Sequence, residues 1–120
     1  YKTDVWKLAE LYNKLAGKDV IPRNSITKPP SAELRPGQLD QDSLPDYQLL
    51  DAVLALLIEG KKTVAQATEL GFSKETVTRI DKMVRAAEWK RSQGAIGTKT
   101  TDIAFGRGRR VPLTTRFGEL

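Results

Sequence analysis

KPPSAELRPGQLDQD, Lys28 to Asp42, divides this sequence. It carries no apolar stripe at helical spacing and no alternation at strand spacing. Pro29, Pro30 and Pro36 fix φ and withhold backbone donors, which blocks regular hydrogen-bonded structure. A connection this long without periodicity is usually either functional or disordered. Disordered linkers tend to be monotonous, whereas this run mixes a lysine, a hydroxyl, carboxylates, an arginine and amides. That variety suits a loop closing over a polar ligand, with an irregular surface connection as the plainer alternative. The loop also decides the fold class, because the flanking segments read as helices.

Before the loop, Val5, Leu8, Ala9, Tyr12, Leu15 and Ala16 recur at helical spacing. Thr3 is the expected N-cap, Asp4 suits the first turn, and Gly17 suits the left-handed stop. This gives a helix over 3–16, whose apolar face Trp6 and Leu11 widen enough for more than one neighbour. Val20-Ile21-Pro22 leads into an irregular region spanning 22–45. Pro45 suits a first helical position, and 46–59 reads as a buried helix, apolar nearly all round and closed by Gly60. Thr63 caps a short helix over 63–70 that stops at Gly71. Ser73 caps another over 73–92, striped by Val77, Ile80, Val84 and Ala87. The tail, 95–120, mixes glycine with arginine. The expectation is a mainly α chain with one long loop and an extended basic tail.

The 120 residues are 39% hydrophobic, enough for a modest core. A net charge of +5 favours anionic partners such as nucleotides, phosphates or nucleic acid. The sequence has no cysteine and no histidine, which removes disulfides, thiolate chemistry, Ser-His and Cys-His catalysis and the usual zinc sites. Hard, oxygen-ligated cations such as Mg²⁺ remain. The longest apolar run, Ala52 to Ile58, is far too short to cross a bilayer. A start at Tyr1, directly before a helix, is expected of a piece whose upstream part is missing.

Two functional readings compete. TVAQATELGFSKETVTRI, Thr63 to Ile80, resembles a helix-turn-helix unit, with small Ala67 before Gly71 and core positions at Leu70, Val77 and Ile80. On a basic chain this allows a DNA-binding module, although Glu75 would face phosphate and base readers are few.

The other reading rests on separate stretches in order. YKTDVWKLA, Tyr1 to Ala9, resembles the segment that opens a helix beside the dinucleotide site in NAD synthetases. Lys28 to Pro45 resembles the mobile substrate loop of the glutamine-dependent type. Glu88-Trp89-Lys90-Arg91 resembles the acidic-aromatic-Lys-Arg signature near the end of the synthetase domain. FGRGRRVPLTTRF, Phe105 to Phe117, resembles the Arg-rich tail of the glutamine-dependent type.

The resemblance implies an α/β domain of the adenine-nucleotide-alpha-hydrolase-like (N-type ATP pyrophosphatase) class, of which this chain is the helical C-terminal portion. The family's Ser-Gly-Gly-x-Asp-Ser phosphate loop and its amidase domain are absent from this sequence. The piece is therefore expected to be inactive alone and to need upstream synthetase and glutaminase regions. The implied reaction amidates nicotinic acid adenine dinucleotide (deamido-NAD) to NAD through an adenylylated intermediate. It uses ATP with Mg²⁺ and ammonia from glutamine, in a cytoplasmic homo-oligomer, with no membrane and no nucleic-acid partner.

By motif match Lys90 is the expected catalytic cation, a helix-end dipole role being its plainer alternative. Lys2 and Thr3 are assigned to bound deamido-NAD, and Ser31 to nucleotide phosphates. Glu33, Asp40 and Asp42 hold Mg²⁺ or pair with Lys28 and Arg35. Arg107, Arg109 and Arg110 bind substrate or a subunit neighbour.

Overall fold

Helix signals and packing divide the labour along this chain. In the computed structural model, which describes residues 1–95, 97–103, 108–109 and 111–113, the regular elements among the described residues are all helical. They are α1 (Lys2–Ala16), α2 (Arg23–Thr27), a 3-10 turn (Asp40–Asp42), α3 (Tyr47–Leu54) running into a π-helical turn (Ala55–Glu59), α4 (Val64–Glu69), α5 (Lys74–Ala86) and α6 (Glu88–Gln93). Contacts group them into two units, Tyr1–Asp51 and Ala52–Leu120.

In the first unit, α1 ends where Gly17 takes φ 66° and its N–H meets the Lys14 carbonyl. Thr3 does not cap this helix: the cap is Tyr1, and Thr3 lies inside the first turn. Its N–H has no intrahelical partner there and donates to Asp51 Oδ2 at 2.8 Å. The periodic stripe is not the buried face either. Val5, Leu8, Tyr12 and Leu15 are exposed, and the buried residue of α1 is Asn13. The Asn13 amide donates to the Ile21 carbonyl and accepts the Ile21 N–H, both at 2.8 Å, tying the chain after α1 back onto the helix. The irregular region holds more helix than its composition promised. Pro22, at φ −56°, precedes α2, whose Ile26 is buried. Pro45 is not the first helical residue: Asp46 caps α3, its carboxylate accepting the Gln48 N–H at 2.8 Å and its carbonyl the Leu50 N–H, and the helix begins at Tyr47.

The second unit has the denser core. Val53, Ala67 and Val77 are fully buried, and Ile58 and Ile80 nearly so. Burying one such Val or Ile stabilises by about 1.5–3 kcal/mol over leaving it exposed. Thr63 and Gln66 form a reciprocal capping box at 3.2 and 3.0 Å, and the Ser73 hydroxyl caps α5. Gly60 closes the π turn for a steric reason: a Cβ there would sit 2.8 Å from the Leu56 carbonyl oxygen. Its own φ is −74°, and Lys61, at φ 49°, takes the left-handed conformation instead. The helix over 73–92 breaks at Ala87, between α5 and α6. The Arg91 guanidinium reaches back to the Val84 carbonyl and to Glu88 Oε2, which satisfies backbone freed by the break.

Candidate functional site

The loop of the first unit folds on its own side chains. Lys28 Nζ sits 2.7 Å from Glu33 Oε1, and the Ser31 hydroxyl accepts the Glu33 N–H at 3.0 Å. These contacts hold Glu33 at φ 53°, a left-handed conformation that costs a non-glycine residue about 1–2 kcal/mol. Gln38 Oε1 accepts the Leu34 N–H at 3.0 Å, and Arg35 lies 3.7 Å from Asp42 Oδ2. Between them opens a concavity of about 500 Å³ whose polar lining is Ser31, Glu33, Arg35 and Gln38. Hydrogen bonding to Glu33, and then its charge, raises the Lys28 pKa; the same contacts with Lys28 lower that of Glu33. Both groups therefore stay ionised at neutral pH, and the pair offers a cation and an anion to a ligand.

Asp40 anchors this loop. Its N–H meets the Pro30 carbonyl at 2.9 Å, which closes the base of the loop, and its carbonyl accepts the Leu44 N–H at 2.8 Å. The Tyr47 hydroxyl donates to Asp40 Oδ2 at 2.6 Å. Burial first, then the bond to Asp40 and its charge, push the Tyr47 phenol up to about 12. The Tyr47 ring meets Trp6 edge-on at 5.8 Å, and Lys2 Nζ lies 5.9 Å from the centre of the Trp6 ring. Lys2, Trp6, Tyr47 and Asp40 thus form a continuous line of contacts from the first turn of α1 to the loop. Thr3 belongs to the same turn, fixed through Asp51. Ser31 and Glu33 sit on the loop rim instead.

Sequence reasoning missed Tyr47, Asp51 and Asn13. Tyr47 follows a loop whose carboxylates the sequence did name, but nothing in the spacing selects Asp40 as its partner. Glu33 and Asp40 each engage a protein partner, and among the described residues no three acidic groups converge on one point.

In the second unit Lys90 is exposed near the end of α6, its Nζ 5.6 Å from the Trp89 ring centre. Its neighbour Arg91 faces inward and makes the helix-break contacts described above. Asp81 is buried and pairs with Arg85 at 2.8 Å. Arg109 joins this cluster: its Nη1 is buried with no acceptor among the described residues. Burial lowers its pKa, with the Arg91 and Arg85 charges adding and Asp81 and Glu88 opposing. Arg107 and Arg110 lie outside the described residues. Along α5, Lys74, Thr78, Arg79 and Lys82 line a second open concavity of about 660 Å³, on the helix that the DNA-binding reading would use.

The comparisons with known proteins bear on which reading holds. A family model described as NAD synthase matches residues 1–94, and so runs through the helix pair at 63–80. The glutamine-dependent NAD(+) synthetase of Thermotoga maritima is 47% identical over 119 residues, covering 99% of this chain and 21% of that protein. The protein of the same description from Acinetobacter baylyi is 49% identical over 113 residues, covering 94% of this chain and 21% of its own. A solved structure of glutamine-dependent NAD+ synthetase from Acinetobacter baumannii, in complex with adenosine diphosphate, matches with a TM-score of 0.57 and 40% identity. The match covers 94% of this chain and 19% of that one. The chain spans about a fifth of the length of the curated relatives it matches. No comparison supports a DNA-binding module, and the α4–α5 pair is accounted for as ordinary helices within the matched region. The match runs from the turn that carries Lys2 and Thr3, through the Asp40-anchored loop, to Lys90, and the chain belongs to the NAD synthase family.

Proposed function

We propose that residues 1–120 are the C-terminal part of the synthetase domain of a glutamine-dependent NAD synthetase. The observation that carries this is 47% identity to such an enzyme over 99% of the chain. The whole domain is then an α/β adenine-nucleotide-alpha-hydrolase-like fold, to which this chain contributes helices, the loop and the tail. The enzyme amidates deamido-NAD to NAD in two steps. A nicotinate carboxylate oxygen attacks the α-phosphorus of ATP, and the bond to the β-phosphate breaks, releasing pyrophosphate. Ammonia, delivered from glutamine, then attacks the acyl carbon, AMP departs with the carboxylate oxygen, and the nitrogen loses a proton. Adenylation is needed because a carboxylate is a poor electrophile. Neither step needs a side-chain nucleophile, in keeping with a sequence that has no cysteine or histidine.

Both steps place negative charge on phosphates, so preorganised cations are the protein's contribution. Exposed Lys90 is the proposed catalytic cation. Lys2 and Thr3 meet deamido-NAD at the start of α1, and Ser31 meets phosphate at the loop rim. Glu33 and Asp40 shape the loop and its polarity, and Arg107 and Arg110 bind substrate from the tail. The ADP-bound neighbour supports an adenine nucleotide as ligand. Mg²⁺ supplies charge neutralisation on phosphate oxygens and typically takes only one or two carboxylates besides phosphates and water. Asp40 or Glu33 could serve as such a single ligand only after releasing Tyr47 or Lys28. The family resemblance further supports a cytoplasmic homo-oligomer.

The test is a chimera in which residues 1–120 replace the matched segment of the Thermotoga maritima relative. It should form NAD from deamido-NAD, ATP and glutamine, while the isolated chain should not. Lys90→Ala should lower kcat roughly 10²-fold, as loss of one charge-stabilising group typically does. Ser31→Ala should mainly raise the KM for nucleotide. A folded chimera silent with both glutamine and ammonia would overturn the function, and full activity of both variants would overturn the site.

A further inference from the structure

Helix α1 has one packed face, one charged face turned to solvent and one apolar face that is bare. One side carries Lys2, Trp6 and Asn13, which engage the loop side of the unit. A second side carries Glu10, Lys14 and Lys7. Between them Val5, Leu8, Leu11, Tyr12 and Leu15 cover about 120° of the helix at roughly 100° per residue. All five are exposed, Leu8 by 66% and Leu15 by 78%. Val5, Leu8, Tyr12 and Leu15 follow the spacing of a helix-packing seam, with only Asp4 interrupting the apolar sector near its start. A contiguous apolar stripe of this size marks an interaction surface, whereas single exposed leucines do not.

We propose that this stripe is an internal seam of the longer synthetase, seated on an apolar layer of the region that this chain lacks. The inference rests on the reading of the chain as part of such a synthetase. Curated relatives are about five times longer than the chain, and its match to the A. baumannii structure covers 19% of that protein. Four fifths of such a polypeptide is available to cover the stripe, and α1 lies wholly within the matched region. A second copy fits less well. Antiparallel pairing across the seam would set Lys7 and Lys14, which flank Leu11, against their own counterparts. The occupant is therefore an apolar surface of the same polypeptide, with room for the Tyr12 ring and the Leu8 and Leu15 side chains.

The absence of cysteine makes the stripe directly readable. Leu8→Cys and Leu15→Cys place one thiol on the seam, and Lys7→Cys places one on the polar face as a control. Maleimide labelling is measured in the isolated chain and in the chimera described above, with the unsubstituted chimera subtracting the relative's own thiols. In the isolated chain all three thiols should label at similar rates at every protein concentration. In the chimera both seam thiols should slow at least tenfold while Lys7→Cys stays fast. The same slowing should appear when the relative's upstream region, produced separately, is added to the chain, so that a poorly folded chimera does not decide the matter. Seam thiols as reactive as Lys7→Cys in both settings would overturn the proposal. So would concentration-dependent protection in the isolated chain, which would assign the stripe to a second copy. An active chimera with reactive seam thiols would sink the seam alone; protected thiols in an inactive chimera would sink the function alone.

Discussion

Tyr47→Phe isolates one contact that joins loop to helix. The substitution keeps the ring, and with it the 5.8 Å edge contact to Trp6, and removes only the hydroxyl that donates to Asp40 Oδ2 at 2.6 Å. Hydrogen bonds to charged groups contribute about 1.5–3 kcal/mol, and partial exposure of both residues reduces this to about 1–2 kcal/mol. That corresponds to a factor of roughly 5–30 in a local opening equilibrium. Hydrogen exchange is the assay. The Asp40 and Leu44 amides, bonded to the Pro30 and Asp40 carbonyls, should lose protection by about that factor, for the same energetic reason. The Ile21 amide, held by Asn13, should not change.

The pH dependence carries a sign. The folded-state pKa of Tyr47 is about 12 against an ordinary 10.0, so the protonated phenol is favoured by folding. Its contribution is complete below pH 10.0 and is lost as pH rises through about 12. Tyr47→Phe should flatten that decline, and the difference in tyrosinate signal between the two proteins should titrate near 12. Unchanged exchange at Asp40 and Leu44, or a difference titration at the ordinary tyrosine value, would refute the account of the loop anchor.

Asn13→Ala removes both bonds to Ile21 and leaves a partly buried N–H and carbonyl without partners, costing about 2–4 kcal/mol by denaturant melting. Asn13→Asp should recover part of the loss only in acid: burial raises the folded pKa of the new carboxyl, so its neutral, donating form stabilises below the ordinary aspartate range and fails as pH rises through the folded value. Arg91→Lys keeps the charge but cannot span both the Val84 carbonyl and Glu88 in the fork geometry, so it should destabilise the α5–α6 junction by about 1–2 kcal/mol. The circular-dichroism melt should register that loss. An Arg91→Lys variant as stable as the native chain would leave the break at Ala87 unexplained.

Short-range physics was legible in the sequence. Apolar periodicity gave a mainly helical chain, Gly17 gave the stop of α1, and Thr63 and Ser73 gave their caps, because each depends on atoms within a turn of helix. The loop was recognisable from its prolines and its mixture of charges, and its resemblance pointed to the family that the comparisons then showed.

Pairing across longer separations was decided only by the tertiary structure. Thr3 met Asp51, Asp40 met Tyr47, and Asn13 rather than the leucine stripe became the buried part of α1. The same holds for Gly60, which matters for the approach of the Leu56 carbonyl rather than for a left-handed φ. Periodicity states that a helix has an apolar face; it does not state whether that face is covered within the same chain. Which face is buried depends on the other surfaces present, so α1 turned its hydrogen-bonding side to the loop and left its apolar side bare.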